Sequence, residues 1–389
     1  MTNLACLALL LATLAACWGQ PAYAASLGDL DPVFAPPVTY GVGQHVRAVC
    51  MSDLDGDDVL DIVTVCWVDS AFWVLLGNGD GTFAPAVRYP IAGSPYSGDV
   101  GDVNGDWIPD VVTSSLDTDY VSVSLGIGDG TFGAPTIISV PELPWFVVLG
   151  DLNGDLALDM IVSTPSPAWD LAILMGNGDG TFQAPVHLTM TQYPKTLTLL
   201  RLDGDDDLDL IVVHPGADGF SVLLGNGDGT FLAPFFYGIG DYPLEAGLGD
   251  IDHDGDYDIA VTCSDDGTVA VLRGSAYGTF APPVYYPVGN WPQDVVIEDF
   301  DRDGHADLCV ANNGGWTISL LRGNGDGTFQ VSEEYDAECC PHTLAPGNFD
   351  GDLDLDLFVG NSEDDFSSVL INLATSPATG PETGFAGGP

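Results

Sequence analysis

Aspartate and asparagine side chains recur at positions 1, 3, 5 and 9 of seven short segments. They are Asp53, Asp55, Asp57 and Asp61; Asp102, Asn104, Asp106 and Asp110; Asp151, Asn153, Asp155 and Asp159; Asp203, Asp205 and Asp209; Asp250, Asp252, Asp254 and Asp258; Asp299, Asp301, Asp303 and Asp307; and Asn348, Asp350, Asp352 and Asp356. Donor sets made only of oxygen suit a hard cation, and Ca²⁺ best tolerates a short flexible loop. Up to seven Ca²⁺ sites are therefore expected, with position 7 adding a backbone carbonyl. Without a cation, carboxylates this close repel one another and raise each other's pKa. The competing explanation is that these residues only build turns, through side-chain bonds to nearby backbone amides. Turn building alone does not require acids at all four positions, seven times over. Asn104, Asn153 and Asn348 replace a carboxylate with a neutral oxygen and should weaken their sites. The fourth loop starts at Arg201, whose guanidinium could take the cation's place, so its occupancy is open. An EF-hand is excluded, since neither the twelfth-position glutamate nor flanking helices are present.

The loops begin at residues 53, 102, 151, 201, 250, 299 and 348, in steps of 49 or 50 residues. So regular a period means one supersecondary unit repeated. Each loop is followed by an apolar run such as Ile62-Val63-Thr64-Val65. A second element, Gly77-Asn-Gly-Asp-Gly-Thr-Phe83, recurs at 126–132, 176–182, 225–231 and 323–329, with a degenerate copy at 274–280. Asn-Gly and Asp-Gly between apolar runs signal a hairpin, because they accept positive φ. Each repeat thus reads as four short strands, which is a propeller blade. The fold expected is all-β: a seven-bladed β-propeller over 25–373 with four-stranded antiparallel blades. After the seventh loop no glycine hairpin follows, but Phe34-Ala-Pro-Pro-Val-Thr-Tyr40 lies in phase, 49 residues before Phe83. This N-terminal strand is expected to close the last blade and leave no open edge.

With both motifs in register, the chain resembles the FG-GAP repeats of integrin α-subunit propellers and the related VCBS repeats, from about Phe34 to Leu373. The resemblance implies Ca²⁺ held on one face, partner-binding loops on the other, and a role in adhesion or, in some relatives, sugar binding.

The chain carries 57 acidic and seven basic residues, a formal charge of −50. Of the aspartates, 29 lie in the seven loops and five in the hairpins, so the excess belongs largely to turn chemistry. So negative a surface disfavours nucleic acid and anionic membranes as partners. Hydrophobic residues at 46% exclude disorder. Residues 1–24 read as an export signal: the apolar stretch Leu4–Ala16 is too short to span a bilayer. Ala22-Tyr-Ala24 would direct cleavage before Ala25, whereas Leu14-Ala-Ala-Cys17 would place a lipid anchor on Cys17. Both remain open, and a secreted or cell-surface location is expected, without membrane insertion. Six cysteines follow the signal, and Cys50 and Cys66 could pair across neighbouring strands. Residues 374–389, rich in Pro, Thr and Gly, read as a flexible tail.

A candidate binding surface lies ahead of the innermost strands, where prolines sit beside Tyr96, Trp145, Tyr193, Tyr242 and Trp291, with His45 and His342 in the remaining repeats. In a propeller these loops ring the central channel on the face away from the aspartates. Exposed aromatics suit sugar rings or a protein partner, although they could equally pad blade interfaces. No nucleophile elbow, zinc-protease helix or phosphate loop occurs, so a non-enzyme is expected. The overall expectation is a monomeric extracellular recognition or adhesion module. Its partner is a protein or, alternatively, a glycan; polysaccharide hydrolysis or lysis ranks third.

Overall fold

Each repeat folds into one four-stranded antiparallel sheet, and seven such sheets are present in the computed structural model, which describes residues 33–140, 143–164 and 169–374. Blade 1 runs from the innermost strand Val46–Ser52 through Asp61–Cys66 and Ala71–Leu75 to the outer strand Val87–Pro90. Blades 2 to 6 repeat this order from innermost strands Pro95–Gly101, Val147–Gly150, Thr196–Leu200, Pro243–Gly249 and Pro292–Glu298. The innermost strands touch in succession, and Val46–Ser52 meets both Pro95–Gly101 and Pro341–Gly347, so the ring closes on itself. Among the described residues the only helical element is the 3-10 turn Pro215–Ala217, and none is long and apolar enough to cross a membrane. The expected export signal and Cys17, and the tail beyond residue 374, lie outside the described residues.

Burial explains why the runs extend as strands. Second strands such as Asp61-Ile-Val-Thr-Val-Cys66 are buried along their whole length, because each blade face packs on a neighbouring blade. Outer strands expose most positions and half-bury the third, for example Tyr89. The core is therefore not central. It is seven apolar wedges, one at each blade junction. In the wedge between blades 1 and 2, the Phe132 ring meets Phe72 at 5.4 Å and Tyr89 at 5.4 Å, both edge-on, while Phe72 and Tyr89 stack at 5.0 Å. The hairpin phenylalanine of one blade thus locks onto the outer half of the blade before it.

Blade 7 is completed by the N-terminal strand. Val38–Gly41 pairs antiparallel with Phe366–Leu370, in the register Val38↔Val369 to Gly41↔Phe366. Phe34 takes the hairpin phenylalanine's place: it bridges to Asn372 and meets Tyr335 of blade 6 edge-on at 5.4 Å. Tyr40 then receives Phe83 of blade 1 at 5.4 Å. Among the described residues the cysteines are unpaired: Cys50 stands opposite Val63 and Cys66 opposite Val46, so their strands do not align them.

If Phe34 carries a hairpin residue's share of the core, Phe34→Ala should cost about 3–5 kcal/mol of stability, as Phe83→Ala does. Denaturant unfolding of both variants checks this; a loss below about 1 kcal/mol for Phe34→Ala would mean that the first strand is not seated in the ring.

Candidate functional site

The aspartate loops connect the innermost strand of each blade to the second, so all seven lie at one end of the ring. Their four carboxylate positions do different work. In the first loop, Asp53 Oδ1 accepts the Gly56 and Asp57 amides at 2.7 and 3.1 Å, and Oδ2 accepts that of Asp58 at 2.9 Å. Burial acts upward on Asp53, but these bonds prevail and hold it below the usual carboxylate range. Asp55 is raised by burial and by the charge of Asp57. Asp57 caps the Val59 amide at 2.9 Å. The loop turns twice through left-handed backbone, at Gly56 and Asp58.

The ninth position behaves otherwise. Asp61 is almost wholly buried, and its two oxygens accept the amides of Leu54 and Gly77, both at 2.8 Å. The same pair of bonds is made by Asp110, Asp159, Asp209, Asp258, Asp307 and Asp356, with the amide of the second loop residue on one side and the start of the hairpin (Asn372 in blade 7) on the other. A Cβ on Gly77 would sit 2.4 Å from the Leu60 carbonyl, which is why this hairpin opens on glycine. Burial pushes Asp61, Asp110 and Asp356 up to about 6 and Asp307 up to about 7, with nearby loop carboxylates adding to the rise.

Positions 1, 3 and 5 converge as a cation site requires in three loops: Asp53, Asp55 and Asp57; Asp250, Asp252 and Asp254; Asp299, Asp301 and Asp303. In the seventh loop the cluster shifts to Asp350, Asp352 and Asp354. Within each, one oxygen per residue lies within 4.8 Å of the others. Buried Asp55 Oδ1, Asp252 Oδ1 and both oxygens of Asp354 have no hydrogen-bond partner. Orphaned anionic oxygens of this kind fit a hard divalent cation. The second and third loops are more self-contained: Asn104 Nδ2 donates to Asp106 at 3.0 Å, and the Asn153 amide turns to Met175. In the fourth loop, Arg201 Nε donates to the Asp206 carbonyl at 2.8 Å.

The five aromatic candidates meet at the opposite end of the ring. Tyr96, Trp145, Tyr193, Tyr242 and Trp291 all line one cavity of about 570 Å³ at the entries to blades 2 through 6. Trp145 packs 5.1 Å from Tyr96 and edge-on at 5.6 Å from Tyr193. Trp169 joins them from the third blade. Trp169, Tyr242 and Trp291 each sit in left-handed backbone, φ 54° to 55°. That conformation costs a bulky residue about 1–2 kcal/mol, and such strain concentrates at binding sites. His342 lines the cavity, but His45 does not.

The acidic loops that accompany the aromatics act as anchors: Asp117 accepts the Ser94 amide at 2.7 Å, and Asp266 that of Asp241 at 2.8 Å. Sequence reasoning missed Arg47 and Lys195, which also line the cavity. The signal was available, because basic residues are so few that each one merits a question.

Seven four-stranded blades with an aspartate-rich loop at the same end of each define a β-propeller. The chain belongs to the FG-GAP-like repeat family, matched by six overlapping stretches at 53–113, 102–162, 151–212, 201–261, 250–310 and 299–359. No curated protein matches it significantly in sequence. Among solved structures, BBS1N in complex with ARL6DN is similar at TM-score 0.63 and 11% identity, over 90% of this chain and 99% of that one. An Agrocybe aegerita lectin that recognises non-reducing terminal N-acetylglucosamine is similar at TM-score 0.55 and 17% identity, over 78% and 90%. The periplasmic gluconolactonase of Pseudomonas aeruginosa is similar at TM-score 0.58 and 14% identity, over 76% and 86%. At these identities the likeness is one of fold.

Two outcomes are expected at the loops. Asp307→Ala leaves the Phe300 and Gly323 amides unpaired and should cost about 2–4 kcal/mol, with Asp307→Asn in between; chemical denaturation reads both, and a neutral Asp307→Ala would refute the clamp. The second outcome concerns pH. The folded state keeps protons on Asp61, Asp110, Asp307 and Asp356 up to about pH 6–7, whereas the unfolded chain releases them near 4. More protons bound in the folded state means that stability falls as pH rises across this window. In excess chelator the melting temperature should therefore be higher at pH 5 than at pH 7.5, and Ca²⁺ should remove the difference. Melting that is independent of both pH and Ca²⁺ would contradict this.

Proposed function

We propose that the protein is an exported recognition propeller that binds a saccharide in the aromatic cavity. Its aspartate loops hold Ca²⁺ in a structural role, stiffening the far end of each blade. The observation that carries this reading is the convergence of Tyr96, Trp145, Tyr193, Tyr242 and Trp291, with Trp169, on one concave site of about 570 Å³. A cavity of this size suits a ligand of one to three rings. Aromatic faces offer a sugar large apolar contact at low entropic cost, while Gln192 and Gln293 in the lining offer amides to its hydroxyls. Similarity of fold to a lectin is consistent with this use of a propeller. Export is supported by the apolar stretch Leu4–Ala16 and the small-residue sites after it.

A protein partner is the second reading. Trp316, 57% exposed on the same face and outside the cavity, favours it.

The test is a glycan array in Ca²⁺ with the wild type, Trp145→Ala and Trp291→Ala. Each substitution should weaken saccharide binding at least about tenfold, as loss of a stacking ring does, with little change in melting temperature. If no glycan is retained, and pull-down from cell-surface extract yields a protein that both variants still bind, the adhesion reading replaces this one.

A further inference from the structure

The chain has seven lysines and arginines against 57 acids, and two of the seven, Arg47 and Lys195, line the same cavity. No aspartate or glutamate lines it. In so acidic a protein, a cavity walled by cations and free of carboxylates is not accounted for by composition.

The donors of this wall lack partners. Lys195 is 9% exposed, and among the described residues its ammonium makes neither a hydrogen bond nor an ion pair. Arg47 lies 5.0 Å from the Trp67 ring and 5.6 Å from that of Tyr96, and its Nη1 donates to His342 Nε2 at 2.9 Å. That bond makes Nε2 the acceptor, so the proton of the neutral ring is on Nδ1. Arg47 Nε and His342 Nδ1 are both buried and unpartnered. Burial, with Arg47 and Lys195 nearby, keeps His342 well below its usual range and so neutral. Three N–H groups, two of them on cations, therefore await acceptors at one site.

The acids packed behind the cavity do not supply them. Asp294 gives one oxygen to the Val295 amide at 2.7 Å and the other to the Leu344 amide at 2.8 Å. Glu245 accepts Thr196 Oγ1 at 3.1 Å, and burial pushes it up to about 8 against the pull of the Lys195 charge. Lys195 acts on Asp294 and Glu245 from the front and Glu363 acts on Arg47 from the side, but none of these acids lines the cavity, so an anion entering it meets cationic donors with no carboxylate between them.

Deepening the saccharide reading and resting on it, we propose that the ligand is an acidic saccharide, whose carboxylate or sulfate is received by Arg47, Lys195 and His342 while its rings stack on the surrounding aromatics. A neutral sugar would leave these donors unpaired and be disfavoured by them.

The experiment titrates the full chain in Ca²⁺ with trigalacturonate, its methyl ester and a sulfated trisaccharide, followed by fluorescence of the cavity tryptophans and by calorimetry. The free acid should bind at least about tenfold more tightly than the ester, with an affinity that falls as salt rises. Lys195→Gln and Arg47→Gln should each remove that preference, with melting temperatures recording that both remain folded. The carboxylate and sulfate arms separate the two acidic groups. Equal binding of acid and ester, or variants that keep the preference, would overturn the inference while leaving the saccharide reading intact. If none of the three binds, inorganic sulfate is titrated: either a fluorescence change lost in Lys195→Gln, which leaves an anion site without the sugar, or no change overturns the inference, and the glycan array alone decides the saccharide reading.

Discussion

The structure depends on a buried carboxylate with both oxygens committed to backbone amides. In blades 1 to 6 the ninth loop position ties the turn between the first two strands to the hairpin between the last two, and in blade 7 it ties that turn to Asn372. These turns are far apart in sequence and would otherwise be two independent flexible ends. One side chain replaces several weaker contacts, and its burial is tolerable because each oxygen is satisfied. The clamp also extends between blades: the Gly81 amide reaches the Phe349 carbonyl at 2.8 Å, and Gly180 reaches Val103 at 2.9 Å. The first three loops are thereby held by their own hairpin from one side and the next blade's from the other, before any cation is considered.

That division of labour marks where sequence reading reached its limit. The spacing at 1, 3, 5 and 9 made the loops legible and treated the four positions as equivalent. Their difference lies in a hydrogen bond from the Gly77 amide to Asp61, sixteen residues away, and pairing at that distance leaves no local pattern. The blades were legible because strand, loop and hairpin recur in phase, and Phe34 could be placed by arithmetic alone. The aromatic residues were legible as a set, since each stands beside a proline ahead of an innermost strand. Arg47 and Lys195 were not: Arg47 sits inside the first innermost strand and Lys195 just ahead of another, with no repeat to flag them.

The two ends of the ring are electrostatic opposites. At one end, aspartates crowd together, and two of the scarce arginines serve them: Arg322 meets Asp301 at 2.8 Å and Arg273 meets Asp252 at 3.5 Å. At the other, Arg47 and Lys195 line the cavity and no carboxylate does. A long-range negative field would repel an anion approaching from most directions. Entry by such a ligand would thus be slow and salt-dependent, with short-range pairing deciding retention.

The seam in blade 7 has a consequence for biogenesis. Every other sheet is made from neighbouring stretches of chain and can assemble as soon as those stretches emerge. Val38–Gly41 finds its mate only when Phe366–Leu370 appears, more than three hundred positions later. Until then the nascent polypeptide is an open arc with a bare strand edge at its trailing end, vulnerable to mispairing with other chains. A chain interrupted shortly before residue 366 would carry six finished blades and leave Val38–Gly41 without its partner strand.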